Sequence, residues 1–185
     1  MKQSKKKMRR NMTKKQTISY QEYIDSVPVN IEAIIRSFDI ELDKNSSLPE
    51  GVLGEISKEG DRYKISIKKT DHYYRKRFTM AHELGHFVLH KDKIGNGIDD
   101  SENYRPVRRI DTVAGELEES EANNFAANIL MPEDLVIRYA KERGVLDGNA
   151  KEKDEALQEI ATAFQVSKAA MKIRINGLKQ KILTN

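Results

Sequence analysis

A mostly helical α+β fold with a small antiparallel sheet, closed by a helix-turn-helix-like pair, is what this sequence predicts, on three observations. Apolar residues recur at helical spacing in several separate segments, while strict period-two alternation is clear only at residues 62–68. Gly and Pro punctuate the joins. At 185 residues the chain is close to the size of one domain, so a single main core is expected.

Residues 1–15 carry eight Lys/Arg and no Asp or Glu, against a formal charge of +4 for the whole, which leaves −4 on the remainder. A basic disordered leader over residues 1–17 is expected, able at most to make weak contact with nucleic acid or an anionic surface. No apolar run follows Lys15 as a signal peptide requires, and none elsewhere approaches the roughly 20 residues of a membrane span. Zero cysteines fit a reducing, cytoplasmic setting and leave only His, Asp and Glu as metal ligands.

The body is expected over residues 18–148. Ser19 with Glu22 reads as a capping box, and Asn30 can cap a helix whose Ile31, Ile34, Ile35 and Phe38 face inward. In residues 62–68 Tyr63, Ile65 and Ile67 alternate with polar neighbours, and Val52–Ile56 should pair with that strand across the Gly60 turn. Thr79 is a suitable N-cap for a helix that sets Met80, Leu84, Phe87 and Val88 inward and ends near His90. Residues 91–112 read as a long connection with one weak strand candidate, Tyr104–Ile110. Next come a helix with Ala122, Phe125, Ala126, Ile129 and Leu130 on one face, a helix started by Pro132 and a stop at Gly144. Residues 149–185 form the closing segment: Leu157, Ile160, Ala161 and Phe164 precede a turn, and Ser167 caps a basic helix running to about Lys181.

Chemistry concentrates in His82-Glu83-Leu84-Gly85-His86. Residues four apart share a helix face, so the two imidazoles can meet at one metal ion, while Glu83 points aside and can act as base toward a metal-bound water. The apolar flank Phe87, Val88 and Leu89 would bury this helix, which argues against two decorative surface histidines. Catalytic zinc normally has three protein ligands and one open position. His90 lies about 12 Å along the helix from His82 and cannot join them. Asp92 stands where a metzincin would place its third histidine. His72 or an acid from another helix remains. Glu119 is the better acid, because Asn123 four residues on can hold a ligand histidine by hydrogen bond. Glu121 is the fallback, while Glu116, Glu118 and Glu121 otherwise read as a solvated acidic face. Tyr104, His72 and His90 are the candidates for a transition-state electrophile.

With Val29–Ile35, Arg77–His90 and Glu119–Pro132 on view, the chain resembles the ImmA/IrrE family of metallo-endopeptidases, in matching order over roughly residues 20–180. The resemblance implies a minimal gluzincin-like zinc fold with one Zn²⁺, His82, His86 and Glu119 as ligands and Glu83 as base. It also implies cleavage of a helix-turn-helix repressor that controls a mobile element, phage or stress response. The rival expectation is a DNA- or partner-binding regulator that uses residues 155–178, where Lys168, Lys172 and Arg174 lie on the second helix. A metal-free remnant that only binds a partner is a third, which the intact His-Glu-His set opposes.

Overall fold

The structure, a computed structural model, describes residues 23–95, 113–146 and 149–184. Its elements are α1 (Ile31–Ser37), β1 (Ile40–Ser46), β2 (Gly54–Glu59), β3 (Arg62–Lys68), α2 (Tyr73–His90), a 3-10 turn (Lys91–Lys93), α3 (Val113–Leu130), α4 (Glu133–Glu142), α5 (Ala150–Phe164) and α6 (Lys168–Thr184). The expected Ser19 capping box, the Tyr104–Ile110 strand and the basic leader all fall outside the described residues.

Asn30 starts α1 as its position predicts, its Oδ1 accepting from the Ala33 amide at 3.0 Å, and Ile31, Ile34 and Ile35 are fully buried. β2 and β3 form the expected hairpin, paired from Gly54↔Ile67 to Glu59↔Arg62, with Gly60 turning at φ +59°. A third strand was not foreseen. β1 joins β3 in parallel (Ile40↔Tyr63, Leu42↔Ile65), so the sheet has the order β1-β3-β2 and is mixed; only the hairpin is antiparallel. Asp43, Lys44 and Asn45 are poor strand formers, and pairing with β3 together with the inward side chains of Ile40 and Leu42 overrides that propensity. As the middle strand, β3 buries Ser66 as well as Ile65 and Ile67.

The helix that carries the His motif begins at Tyr73, not Thr79. His72 is its N-cap, Nδ1 accepting from the Tyr74 amide at 3.3 Å, while the Thr79 hydroxyl donates to the Arg75 carbonyl one turn back. Thr79 therefore satisfies its hydroxyl inside the helix and is free of the capping role. Met80, Leu84 and Phe87 are buried and Val88 is partly buried, but Leu89 is exposed. Phe87 fastens α2 to the sheet and to α1 through edge-on contacts with Tyr63 (4.9 Å) and Phe38 (5.7 Å). Arg77, also on α2, is buried, and its Nη2 donates to the Val29 carbonyl at 2.8 Å. Burial holds its pKa below the ordinary guanidinium value. Arg77→Met keeps much of the stem and removes the bond. It should cost about 1.5–3 kcal/mol, the range for hydrogen bonds to charged groups, read as a lower urea midpoint. An unchanged midpoint would show that Arg77 is dispensable for holding residues 28–30 against α2.

α3 buries Ala122, Ala126, Ile129 and Leu130, with Phe125 partly covered, and Gly144 ends the α4 segment at φ +56°. A full capping box, Asn149 with Glu152, starts α5. Gln165 turns the corner at φ +53°, Ser167 Oγ accepts from the Ala170 amide, and α6 buries Met171, Ile175, Leu178 and Ile182. Among the bonds that tie this pair to the rest, Tyr73 Oη donates to Gln165 Oε1 (2.6 Å), Arg174 Nε to the Met131 carbonyl (3.1 Å) and Lys181 Nζ to Glu133 Oε1 (2.6 Å).

Candidate metal centre

The four-residue spacing puts His82 and His86 on one face of α2, and their Nε2 atoms stand 3.0 Å apart. What brings a third donor to them is a tight helix crossing. A Cβ placed on Gly85 would lie only 3.2 Å from the backbone Cα and O of Ala122, so the absence of a side chain lets α3 approach α2 at this level. Two polar residues of α3 flank that contact, Glu119 about one turn before Ala122 and Asn123 directly after it. Glu119 sets Oε2 3.3 Å from His82 Nε2 and Oε1 3.2 Å from His86 Nε2, and Asn123 Oδ1 is 3.0 Å from His82 Nδ1. With Nδ1–H donated to Asn123, the Nε2 lone pair of His82 is left facing the other two.

The donors fit a metal ion. Zinc–nitrogen bonds of about 2.05 Å in a tetrahedron imply donor separations of roughly 3.3 Å; the two Nε2 atoms and each imidazole's own Glu119 oxygen lie close to that edge, and one atom from each residue falls within 4.8 Å of the others. Glu119 Oε1 is sealed from solvent, with the His86 imidazole 3.2 Å away, as an oxygen aimed at a shared central point would be. His82, His86 and Glu119 could thus hold one metal ion.

The electrostatics point the same way. Burial works to raise the Glu119 pKa, but the hydrogen bonds and charges of His82 and His86 outweigh it and hold the carboxyl at about 2. Burial works to lower that of His82, and the bond to Glu119 with the charges of Glu83 and Glu119 outweighs it, so the imidazole ends above its ordinary value. The cluster recruits positive charge, whether proton or metal. Glu83 is different: its burial in the α2–sheet contact, with the nearby charges of Glu119 and Glu55, overcomes the pull of the two histidines and lifts it to about 7. Its Oε1 would sit 3.4 Å from a Cβ on Gly54, the first residue of β2, so the carboxyl abuts the end of an outer strand of the sheet.

Five of the residues named for the site fall in one place: His82, His86 and Glu119 converge, Glu83 stands beside them, and Asn123 makes the expected bond. His72 does not join them. As N-cap of α2 it is about 15 Å of helix rise from His82, which removes it as ligand and as electrophile. Glu121 turns to the other side, its Oε2 3.5 Å from His90 Nε2. Tyr104 lies outside the described residues. Glu118 corrects the reading of a solvated acidic face: it is buried and paired with Lys93, which ties the 3-10 turn to α3. Gly54 and the Gly85–Ala122 crossing were missed. A Gly at a strand end is the one available signal for a close approach.

Comparison with curated proteins returns no match. A family model does match, described as Peptidase_M78: IrrE N-terminal-like domain, over residues 35–176. The matched span runs from the end of α1 to about the middle of α6, so it takes in the metal-donor cluster, α5 and the first half of α6. Covering well over half of the sequence, and carried by a His-His-Glu cluster of the kind a metallopeptidase needs, this match shows that the chain belongs to the IrrE N-terminal-like metallopeptidase family.

Proposed function

We propose that the chain is a zinc-dependent endopeptidase of the cytoplasm that cleaves a repressor-type regulatory protein. The observation that carries the peptidase part is the convergence of His82, His86 and Glu119 on one point beside the buried carboxyl of Glu83. Zinc suits a donor set of two imidazoles and one carboxylate with no thiolate. When bound, it supplies Lewis acidity toward a water and a peptide carbonyl.

The remaining roles belong to the chain. Glu83 accepts the proton released by the attacking water and returns it to the departing amine; it stands beside the three converging donors without being one of them. Asn123 fixes the ring orientation of His82. β2 lies at one side of the sheet with Gly54 against Glu83, a place where a substrate can lie extended and pair its backbone as an added strand. The repressor as substrate rests on the family resemblance and not on geometry.

The DNA-binding alternative loses support in α6. Lys168 is paired with Asp154, Lys181 with Glu133, and Arg174 is half-buried against Met131. Those bonds spend cations that base or phosphate contact would need free. Among the described residues no helix is long and apolar enough to cross a membrane.

The test is elemental analysis of the purified protein followed by digestion of a helix-turn-helix repressor encoded beside its gene, with and without chelator. One zinc per chain and chelator-sensitive cleavage are expected. A protein without stoichiometric zinc and indifferent to chelator would overturn the reading. Within the site, Asn123→Ala should weaken zinc binding about 10–100-fold in competition with a chelating dye, and Asn123→Asp, which keeps the acceptor, should recover most of it.

A further inference from the structure

A cavity of about 360 Å³ lies between the first turns of α2 and the corner that joins α5 to α6. Phe78, Met131, Val166 and Ala170 form its apolar lining, and Arg75 stands exposed at its edge. Phe78 links it to the metal centre: it precedes His82 by one helical turn, and the two rings lie 6.5 Å apart. The walls are braced. Met131 and Val166 belong to the core, the Tyr73–Gln165 hydrogen bond spans from α2 to the corner, and Arg174 holds the Met131 carbonyl.

We propose that this cavity receives an apolar side chain, aromatic or long aliphatic, of the polypeptide substrate; the proposal rests on the peptidase reading above. Its volume is at the low end for ligand sites and suits a single side chain, not a docked helix. Val166 and Ala170 come from the helix-turn-helix-like pair, which therefore acts as a specificity wall of the peptidase. That gives the pair a reason to be fastened to α2.

Hydroxamates provide the test, because the group anchors a probe on bound zinc without any cleavage. Zinc-loaded full-length protein is titrated by calorimetry with acetohydroxamate and with tripeptide hydroxamates carrying Gly, Phe, Leu, Asp or Lys at one position at a time. At one position Phe or Leu should bind at least about tenfold tighter than Gly, as apolar pockets discriminate. Ala170→Trp, which fills the cavity, should bring that ratio near one, and Ala170→Leu should lower it partway; the milder variant decides should the Trp variant fail to fold. Absence of an apolar preference at every position, as a cavity filled by the chain's own residues would give, overturns the proposal. So does a preference that survives both substitutions. Failure of acetohydroxamate itself to bind would instead overturn the metal reading, and the subsite with it.

Discussion

Glu83→Gln is expected to keep its zinc and to lose cleavage by roughly 10²–10⁴-fold, the range that general acid–base catalysis contributes. The amide preserves shape and cannot take a proton, and Glu83 is not among the three converging donors, so metal content should stay at the wild-type level. The same substitution carries a signature in stability that a simple loss of activity does not. In the metal-free protein the Glu83 carboxyl is lifted to about 7 from an unfolded value of 4.5, chiefly by burial. Folding therefore favours its protonated form: the group costs nothing below about pH 4.5, destabilises progressively as pH rises toward 7, and then levels off. A shift of that size is on the order of 3 kcal/mol. With chelator present, Glu83→Gln should melt several degrees above wild type at pH 8 and together with it at pH 4.5. Retained turnover would refute the role as base. Equal melting at both pH values would refute the buried, uncompensated carboxyl.

That contrast shows what the sequence could and could not disclose. The His82–His86 spacing and the Glu119–Asn123 spacing are properties of a helix, legible from the 3.6-residue period alone, and both appear in the structure as read. Asn30, Ser167 and Gly144 act through hydrogen bonds or a positive φ within their own turn, so their roles were legible too. What stayed hidden depends on contacts far apart in sequence. β1 exists because β3 pairs with it. Thr79 resembles a cap until Arg75 supplies its partner. Glu118 resembles a surface acid until Lys93 reaches it across the connection. Arg77 is a charge on the inward side of a helix, and only the carbonyl of Val29, 48 residues earlier, explains it.

Glu119→Ala should abolish stoichiometric zinc binding, whereas Glu121→Ala, two residues on, should leave it intact. The two carboxylates sit on one helix but face different neighbours: Glu119 is within 3.3 Å of both Nε2 atoms, and Glu121 is 3.5 Å from His90. Removing Glu119 leaves two donors, below the three that catalytic zinc normally requires. The clearest readout is linkage. Added zinc raises the melting temperature of a protein that binds it only when folded, so wild type and Glu121→Ala should respond and Glu119→Ala should not. Without metal the sign of the charge effect can be checked as well. Glu119 is held at about 2 by His82 and His86, so its ionised form stabilises the fold above its unfolded value of 4.5, and that stability is lost as pH falls toward 2. Glu119→Ala in chelator should consequently be less stable than wild type at pH 6, with the gap narrowing on acidification below 4.5. A zinc response that disappears in Glu121→Ala and persists in Glu119→Ala would move the third ligand to His90's partner. It would also require α3 to turn relative to the His pair, against the Gly85–Ala122 contact that fixes it.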